Sequence, residues 1–484
     1  MSKSEIIYKD IAPGAAEAAT AVSDSQTDFS DVASLISGVE TPAISTCEQN
    51  NWLLNGAFQI LQDQPIAFWS TEISNESGTF LNRPVISIML SKQFSSVGLT
   101  IYFDTETGDH CSSINIKWYQ QDQLKADVNF FPDSSVYFCE HHVENYDRIV
   151  ITLIGTGIPY RYAKISRILF GIIRTFDMTE LRNVRIINSS NLISAELPIS
   201  TLNWVLESKE NVEFMFQMKQ PVEVKNDNTL IGVYYIDKYS RTTENLYKIG
   251  CYDAIGVLNE SVFPGGVYQD YSARQLLYDI IGDSFSIAFE VSDELLTGIL
   301  QQSSKRSAMQ QVLFALGACV STDGRDSIRI FSVNDSVSAI DKDRIYVGTE
   351  TEVSSIVTEV RVSAHAYTED EFGSIEINGR KYKDTETVYS VSNPNVTAND
   401  KENVISVKNA TLISNSNGQS TAQRIYDFYM QRRKSKAKIV WHGEILGDCI
   451  SLPNVWGELA IGNIAKMEIT LSNTVAANCE TIGL

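Results

Sequence analysis

Histidines at positions 110, 141, 142, 365 and 442 are where a catalytic or metal-binding role would first be sought. His141 and His142 are adjacent, and adjacent side chains on a strand point to opposite faces, which makes them poor joint ligands for one ion. No H-E-x-x-H, G-x-S-x-G or G-x-x-x-x-G-K-[ST] occurs. The acidic run Glu369-Asp370-Glu371 lacks the spacing of a calcium loop and reads as a solvated turn. With 60 acidic residues, some pair of carboxylates is always available, so a glycosidase-like pair carries no information. The cysteines (47, 111, 139, 251, 319, 449 and 479) are scattered, with no C-x-x-C, and read as reduced, mostly buried thiols. No catalytic residue, no metal-ligand set and no cofactor is assigned.

Two sets of residues remain as candidates for binding. Arg432, Arg433, Lys434, Lys436 and Lys438 form a basic run in an otherwise acidic chain. Placed after a helix, they would complement its dipole and meet an acidic face of a neighbouring subunit, or simply form a solvated face. Trp69, Trp118 and Tyr119 lie in a β-rich region. Exposed, their rings would stack on a glycan; buried, they are the packing residues of a sandwich.

The elements that must position these residues are legible in part. Ser272 with Gln275 is a capping box, followed by the apolar face Leu276, Leu277, Ile280, Ile281 and a stop at Gly282. A second helix starts near Ser303 or Ser304, buries Ala308, Val312, Ala315 and Leu316, and stops at Gly317. A hairpin follows, turning through Asp323-Gly324-Arg325-Asp326. Another helix is expected after Ser420, with Gln423 at the third position and Ile425, Phe428 and Tyr429 on its apolar face. Asn378-Gly379 is a hairpin signal. Most of the remaining chain reads as strands rich in β-branched and aromatic residues, such as Val85-Ile86-Ser87-Ile88-Met89-Leu90 and Ile149-Val150-Ile151-Thr152-Leu153-Ile154.

The chain has 484 residues, enough for three or four domains, and 43% are hydrophobic, so each can bury a core. The formal charge of −21 argues against coating nucleic acid, which needs a positive field. The first residues lack the apolar run of a signal peptide, and nothing approaches the roughly 18 apolar residues of a spanning helix. Synthesis in the cytoplasm is expected.

Gly232-Val233-Tyr234-Tyr235-Ile236, Cys251-Tyr252-Asp253-Ala254-Ile255-Gly256, Phe263-Pro264-Gly265-Gly266 and the helix from Ser307 to Ala315 follow one another in order. Together, over residues 173 to 484, they resemble the baseplate hub proteins of phage tails and of phage-derived contractile injection particles, including contractile bacteriocins of Gram-positive bacteria. The run from Trp52 through the Pro159-Tyr160-Arg161-Tyr162-Ala163-Lys164 edge looks like the N-terminal decoration seen in such hubs from Gram-positive hosts.

The resemblance implies a mainly β chain with α+β modules: an extended arm over 1–45, a jelly roll or β-sandwich over 46–173, and a first hub barrel over 174–256. A helix-containing α+β module over 257–340 and a second barrel over 341–484 would follow. It further implies a non-enzymatic homotrimer in the baseplate of a virion or tail-like particle. That trimer would join tail-tube and tube-initiator proteins to a central spike or tip protein, among other baseplate proteins, without sequence-specific nucleic-acid binding. A glycan-binding tail adhesin built on the jelly roll and a tail-associated cell-wall hydrolase are the alternatives.

Overall fold

The computed structural model describes residues 3–12, 14–37, 44, 46, 48, 66–208, 216–333, 336–346, 348–397, 400–453, 459–472 and 474–483. Cys47 and Trp52 lie outside them. The chain forms two compact units, one of residues 9–174 and the other of residues 1–8 and 175–484. It is mainly β, with six α-helices among the described residues.

The unit of residues 9–174 contains the short helices α1 (Ala15–Ala18) and α2 (Ser34–Ser37). Its main sheet runs in the order Ala19–Val22, Val85–Tyr102, Val136–Thr156, Cys111–Gln120, Gln123–Phe130, with Arg167–Leu169 also paired to Val85–Tyr102. A two-stranded sheet pairs Phe68–Ile73 with Tyr162–Ile165. The two longest strands pair from Val85 opposite Thr152 to Tyr102 opposite Val136, with register shifts between Met89 and Gly98. At Gly98, φ is +152° and a Cβ would lie 2.3 Å from the Cys139 carbonyl oxygen, so only glycine fits this irregularity. Alternate residues turn inward: Ile86, Ile88, Leu99, Ile101, Ile114, Ile116, Ile149 and Ile151 share one core with Trp118 and Phe68.

The second unit has two main cores. Around the first, a thirteen-stranded sheet is assembled from distant parts of the chain. Its principal order includes Ser4–Ile11, Pro221–Asn226, Thr229–Arg241, Leu246–Tyr252, Thr201–Glu207, Leu181–Ser189, Leu459–Thr470, Ala476–Gly483, Arg433–Val440 and Glu350–Val353. Leu181–Ser189 pairs antiparallel with Leu459–Thr470, Arg185 lying opposite Thr470. Inward residues of all these strands but the last, among them Tyr8, Val222, Tyr234, Ile249, Trp204, Ile186, Ile469, Cys479 and Ile439, form a single core.

The second core holds helices α3 (Ala254–Asn259), α4 (Ala273–Ile281), α5 (Lys305–Leu316) and α6 (Gly418–Met430). A four-stranded sheet joins them in the order Ile375–Ile377, Arg380–Ser392, Glu359–Glu369, Val404–Val407. The start signals for α4 and α5 act as expected: Ser272 accepts from the Gln275 amide at 3.1 Å, and Ser304 from the Ser307 amide at 3.1 Å. Gly317 closes α5 at φ +75°.

Three expectations differ from what the structure shows. The stretch 1–45, read as an extended arm, contributes a strand whose Ile6 and Tyr8 are buried, then α1, a paired strand and α2. Small residues concealed this, because the pairing partners lie up to 222 positions away. The division into 174–256, 257–340 and 341–484 gives way to cores that each draw on several of these stretches, since strand pairing here is mostly non-local. Finally, α6 starts at Gly418, one turn earlier in its capping than expected: Ser420 lies within the first turn and donates to the Asn417 carbonyl at 2.9 Å. The Asn417 side chain is engaged by the Ser414 amide at 2.8 Å, in the turn that leads into the helix.

Candidate functional site

The basic run belongs to a strand. After α6 ends, Arg433–Val440 pairs with Glu350–Val353 on one side and Ala476–Gly483 on the other. Ser435, Ala437 and Ile439 are buried on one face, which leaves Lys434, Lys436 and Lys438 on the other. Lys434 lies opposite Glu352, and Lys436 lies between Glu350 and Glu480. Glu480 lies in turn opposite Lys466, and their charged atoms are 3.6 Å apart. The Lys438 ammonium sits 4.8 Å from the Tyr346 ring centre, and Arg432 Nε donates to the Ser354 carbonyl at 2.9 Å. The row is thus a cross-strand ladder of alternating charge within the subunit, each opposed pair contributing about 0.2–1 kcal/mol. Arg432 directly follows Gln431, the C-cap of α6, whereas Lys434, Lys436 and Lys438 are carried away from that helix end along the strand.

The aromatic candidates separate. Trp69 and Trp118 are 1% and 0% exposed, so neither offers a ring face to a ligand. Trp69 packs edge-on against Phe29 and Tyr162, and Trp118 against Phe130. Alternation along the strand puts Trp118 inward and Tyr119 outward. The Tyr119 ring is covered by the Arg148 guanidinium at 4.4 Å, which is also paired with Asp122 at 2.9 Å. Beside it lies a polar cleft of about 440 Å³ lined by Met89, Lys92, Asp122, Asp147 and Arg148.

Two buried polar clusters were invisible in the sequence. In the unit of residues 9–174, the Lys164 ammonium lies 3.1 Å from Glu48, 3.2 Å from Asp109 and 3.6 Å from Asp104. It also lies 5.2 Å from the Trp69 ring centre. In the other unit, Asp253 caps α3 through the Gly256 amide and accepts from the Thr322 hydroxyl at 3.0 Å. Asp323 accepts from the Leu446 amide at 2.6 Å, while its second oxygen is buried without a hydrogen-bond partner. Burial in apolar surroundings pushes the Asp253 carboxyl up to about 6 and that of Asp323 to about 7.

A third cluster joins the only histidine here that is buried. His365 and Tyr367 stand on Glu359–Glu369, and Asp384 and Glu386 stand opposite them on the neighbouring strand, on the same face. His365 Nδ1 is 2.7 Å from Asp384 Oδ2, and Nε2 is 2.9 Å from the Lys408 carbonyl. The Tyr367 ring stacks on the imidazole at 5.8 Å and 9°. His365 and Tyr367 also line a cleft of about 460 Å³ with Tyr268, Asp270, Thr297 and Ser414. Sequence spacing gave no sign of this cluster, because its members meet across a strand pair 19 and 21 positions apart.

The six described cysteines are all buried, and burial pushes the Cys111 and Cys251 thiols up to about 12. Among the described residues, no helix is long and apolar enough to cross a membrane.

No family model and no curated protein matches the chain. Solved structures with some likeness include the tail protein of Neisseria meningitidis MC58, 10% identical at a TM-score of 0.45, covering 63% of this chain and 95% of that one. The 43 kDa tail protein of prophage MuSo2 from Shewanella oneidensis is 10% identical at 0.44, covering 64% and 94%. The E. coli c3393 protein, a type VI secretion component described as similar to the T4 tail proteins gp27 and gp5, is 9% identical at 0.37, covering 63% and 74%.

Proposed function

We propose that this chain is a non-enzymatic structural subunit of a phage tail or contractile injection particle: a trimeric hub that joins a hexameric tube to a central spike or tip. The motifs from Gly232 to Ala315 and the two-core organisation of the second unit support the reading. One observation carries it. In Arg380–Ser392, only residues 380–382 are covered on the outer side, by Ile375–Ile377, which leaves the edge of 383–392 unpaired among the described residues. This strand pairs with Glu359–Glu369 without a register shift, contains no proline, and exposes Val388. Monomeric proteins protect such edges with bulges, prolines, covering elements or charges; this edge has charges at Lys383 and Glu386 but none of the other devices, and it is open to a partner strand from Thr387 to Ser392.

The basic row has acidic neighbours inside the subunit: Lys436 lies opposite Glu350 and Glu480, and its ammonium is 3.9 Å from Glu352. With Trp69 and Trp118 in the core, an adhesin built on those rings has no stacking surface.

Sedimentation of the purified chain at micromolar concentration tests the proposal. Trimers are expected, and Val388→Pro, whose N–H faces the open edge, should shift them towards monomer while far-ultraviolet circular dichroism is retained. A stable, well-behaved monomer for the unaltered chain would overturn it.

A further inference from the structure

We propose that His365, Asp384 and Glu386 form a binding site for a divalent transition ion of the zinc class, held on one face of the four-stranded sheet. The inference is independent of the hub reading and rests on the hydrogen-bond requirements of the imidazole.

One atom of each side chain lies within 4.8 Å of the other two. His365 Nε2 faces the Lys408 carbonyl, which can only accept, so Nε2 carries the proton. The lone pair of the neutral ring then lies on Nδ1, and it points at Asp384 Oδ2, which also accepts. Two acceptors 2.7 Å apart require something electropositive between them, either a proton or a metal ion. The second Asp384 oxygen is buried without a hydrogen-bond partner, so this carboxylate has unused capacity. Glu386, opposite His365 in the strand pair and exposed, brings a second negative charge to the same place.

These features favour a metal ion. A ligating histidine usually donates its other ring N–H to a carbonyl or carboxylate, as Nε2 does here. Stacking of Tyr367 and a hydrogen bond from the His365 amide to the Ile413 carbonyl, at 2.7 Å, fix the ring and its strand before any ion arrives. One imidazole nitrogen and two carboxylate oxygens suit Zn²⁺, Co²⁺ or Mn²⁺ better than Ca²⁺, which takes six or more oxygen ligands. A tetrahedral ion with bonds of about 2.0–2.2 Å needs its ligands roughly 3.3 Å apart. Separating Nδ1 and Oδ2 by about half an ångström, through small side-chain rotations, meets that need. The 460 Å³ cleft lined by His365 gives solvent access and room for water as a further ligand.

The test uses the full chain, stripped with a chelator and titrated with Co²⁺. One equivalent should bind, with the visible d–d absorption of a low-coordinate site, and Zn²⁺ should displace it. Glu386→Gln, at an exposed position that folding tolerates, should weaken binding by at least about tenfold. Asp384→Asn should abolish the d–d band, and His442→Ala should leave it unchanged. Zn²⁺ should raise the thermal midpoint of the unaltered chain but not that of Asp384→Asn. No stoichiometric uptake, or uptake unaffected by Glu386→Gln and Asp384→Asn, would overturn the proposal and leave a proton as the group between His365 and Asp384.

Discussion

At the scale of single residues, the environment of each polar group decides its role, and Asp323 shows how far a carboxyl can be displaced. Its ordinary value of 3.8 rises to about 7 because the charged form is desolvated, against only partial relief from the Leu446 amide. The stability it allows is fully present below the unfolded value and is lost as pH rises through the folded one. Between pH 5 and 8 the unit of residues 1–8 and 175–484 should therefore weaken as the solution becomes more alkaline, Asp323 accounting for roughly 2–3 kcal/mol of the change. Asp323→Asn keeps an acceptor for Leu446 and removes the titration. Urea unfolding at pH 5.5 and pH 8 should show a smaller difference for the variant; an equal difference would remove Asp323 as the cause. Residue types alone identified the tryptophans and the basic run but not their surroundings. Trp118 is core and Tyr119 is not because of strand parity, which a one-residue uncertainty in register reverses.

At the scale of elements, local chemistry was readable where it is self-contained. The caps of α4 and α5 and the Asn378-Gly379 hairpin are fixed by residues within a few positions of one another, and Asn378 and Gly379 take φ of 51° and 78° as such a turn requires. The strand Arg433–Val440 was misplaced because its charges follow a helix in sequence, while their partners come from Glu350–Val353 and Ala476–Gly483. That placement makes a prediction for Lys434→Glu combined with Lys436→Glu. Glu350, Glu352 and Glu480 would then face like charges, and the subunit should lose about 1–2 kcal/mol at low salt. Most of that loss should disappear in 1 M salt, where screening acts over about 3 Å. A loss independent of salt would point to packing instead of charge.

At the scale of the whole molecule, the sequence showed a mainly β chain with embedded helices, but not which strands share a core. Residues 181–189 and 466–470 are neighbours in one sheet, and no local pattern encodes a pairing across so much chain. The same holds for the strand at Ser4–Ile11. Tyr8 is buried, and its hydroxyl accepts from the Gln217 amide at 2.9 Å. Ile6, fully buried, sits opposite Val224. Ile6→Ala should therefore cost the larger unit about 2–5 kcal/mol. Thermal unfolding of that variant, followed beside the parent, measures it; an unchanged midpoint would mean the strand is dispensable.

The position of that strand also sets a schedule for biosynthesis. Residues 4–8 leave the ribosome first among those of the sheet, yet they pair with 222–226, made only after all of residues 9–174. At 5–20 residues per second the delay is roughly 10–45 s. The intervening unit draws its core from its own residues and is able to condense during that interval. Ile6 and Tyr8 meanwhile remain an unpaired apolar thread on the nascent chain, exposed to holdase chaperones and to neighbouring nascent chains on the same messenger. Closure of the sheet then waits on Leu459–Thr470, whatever the speed of the unit's local helices.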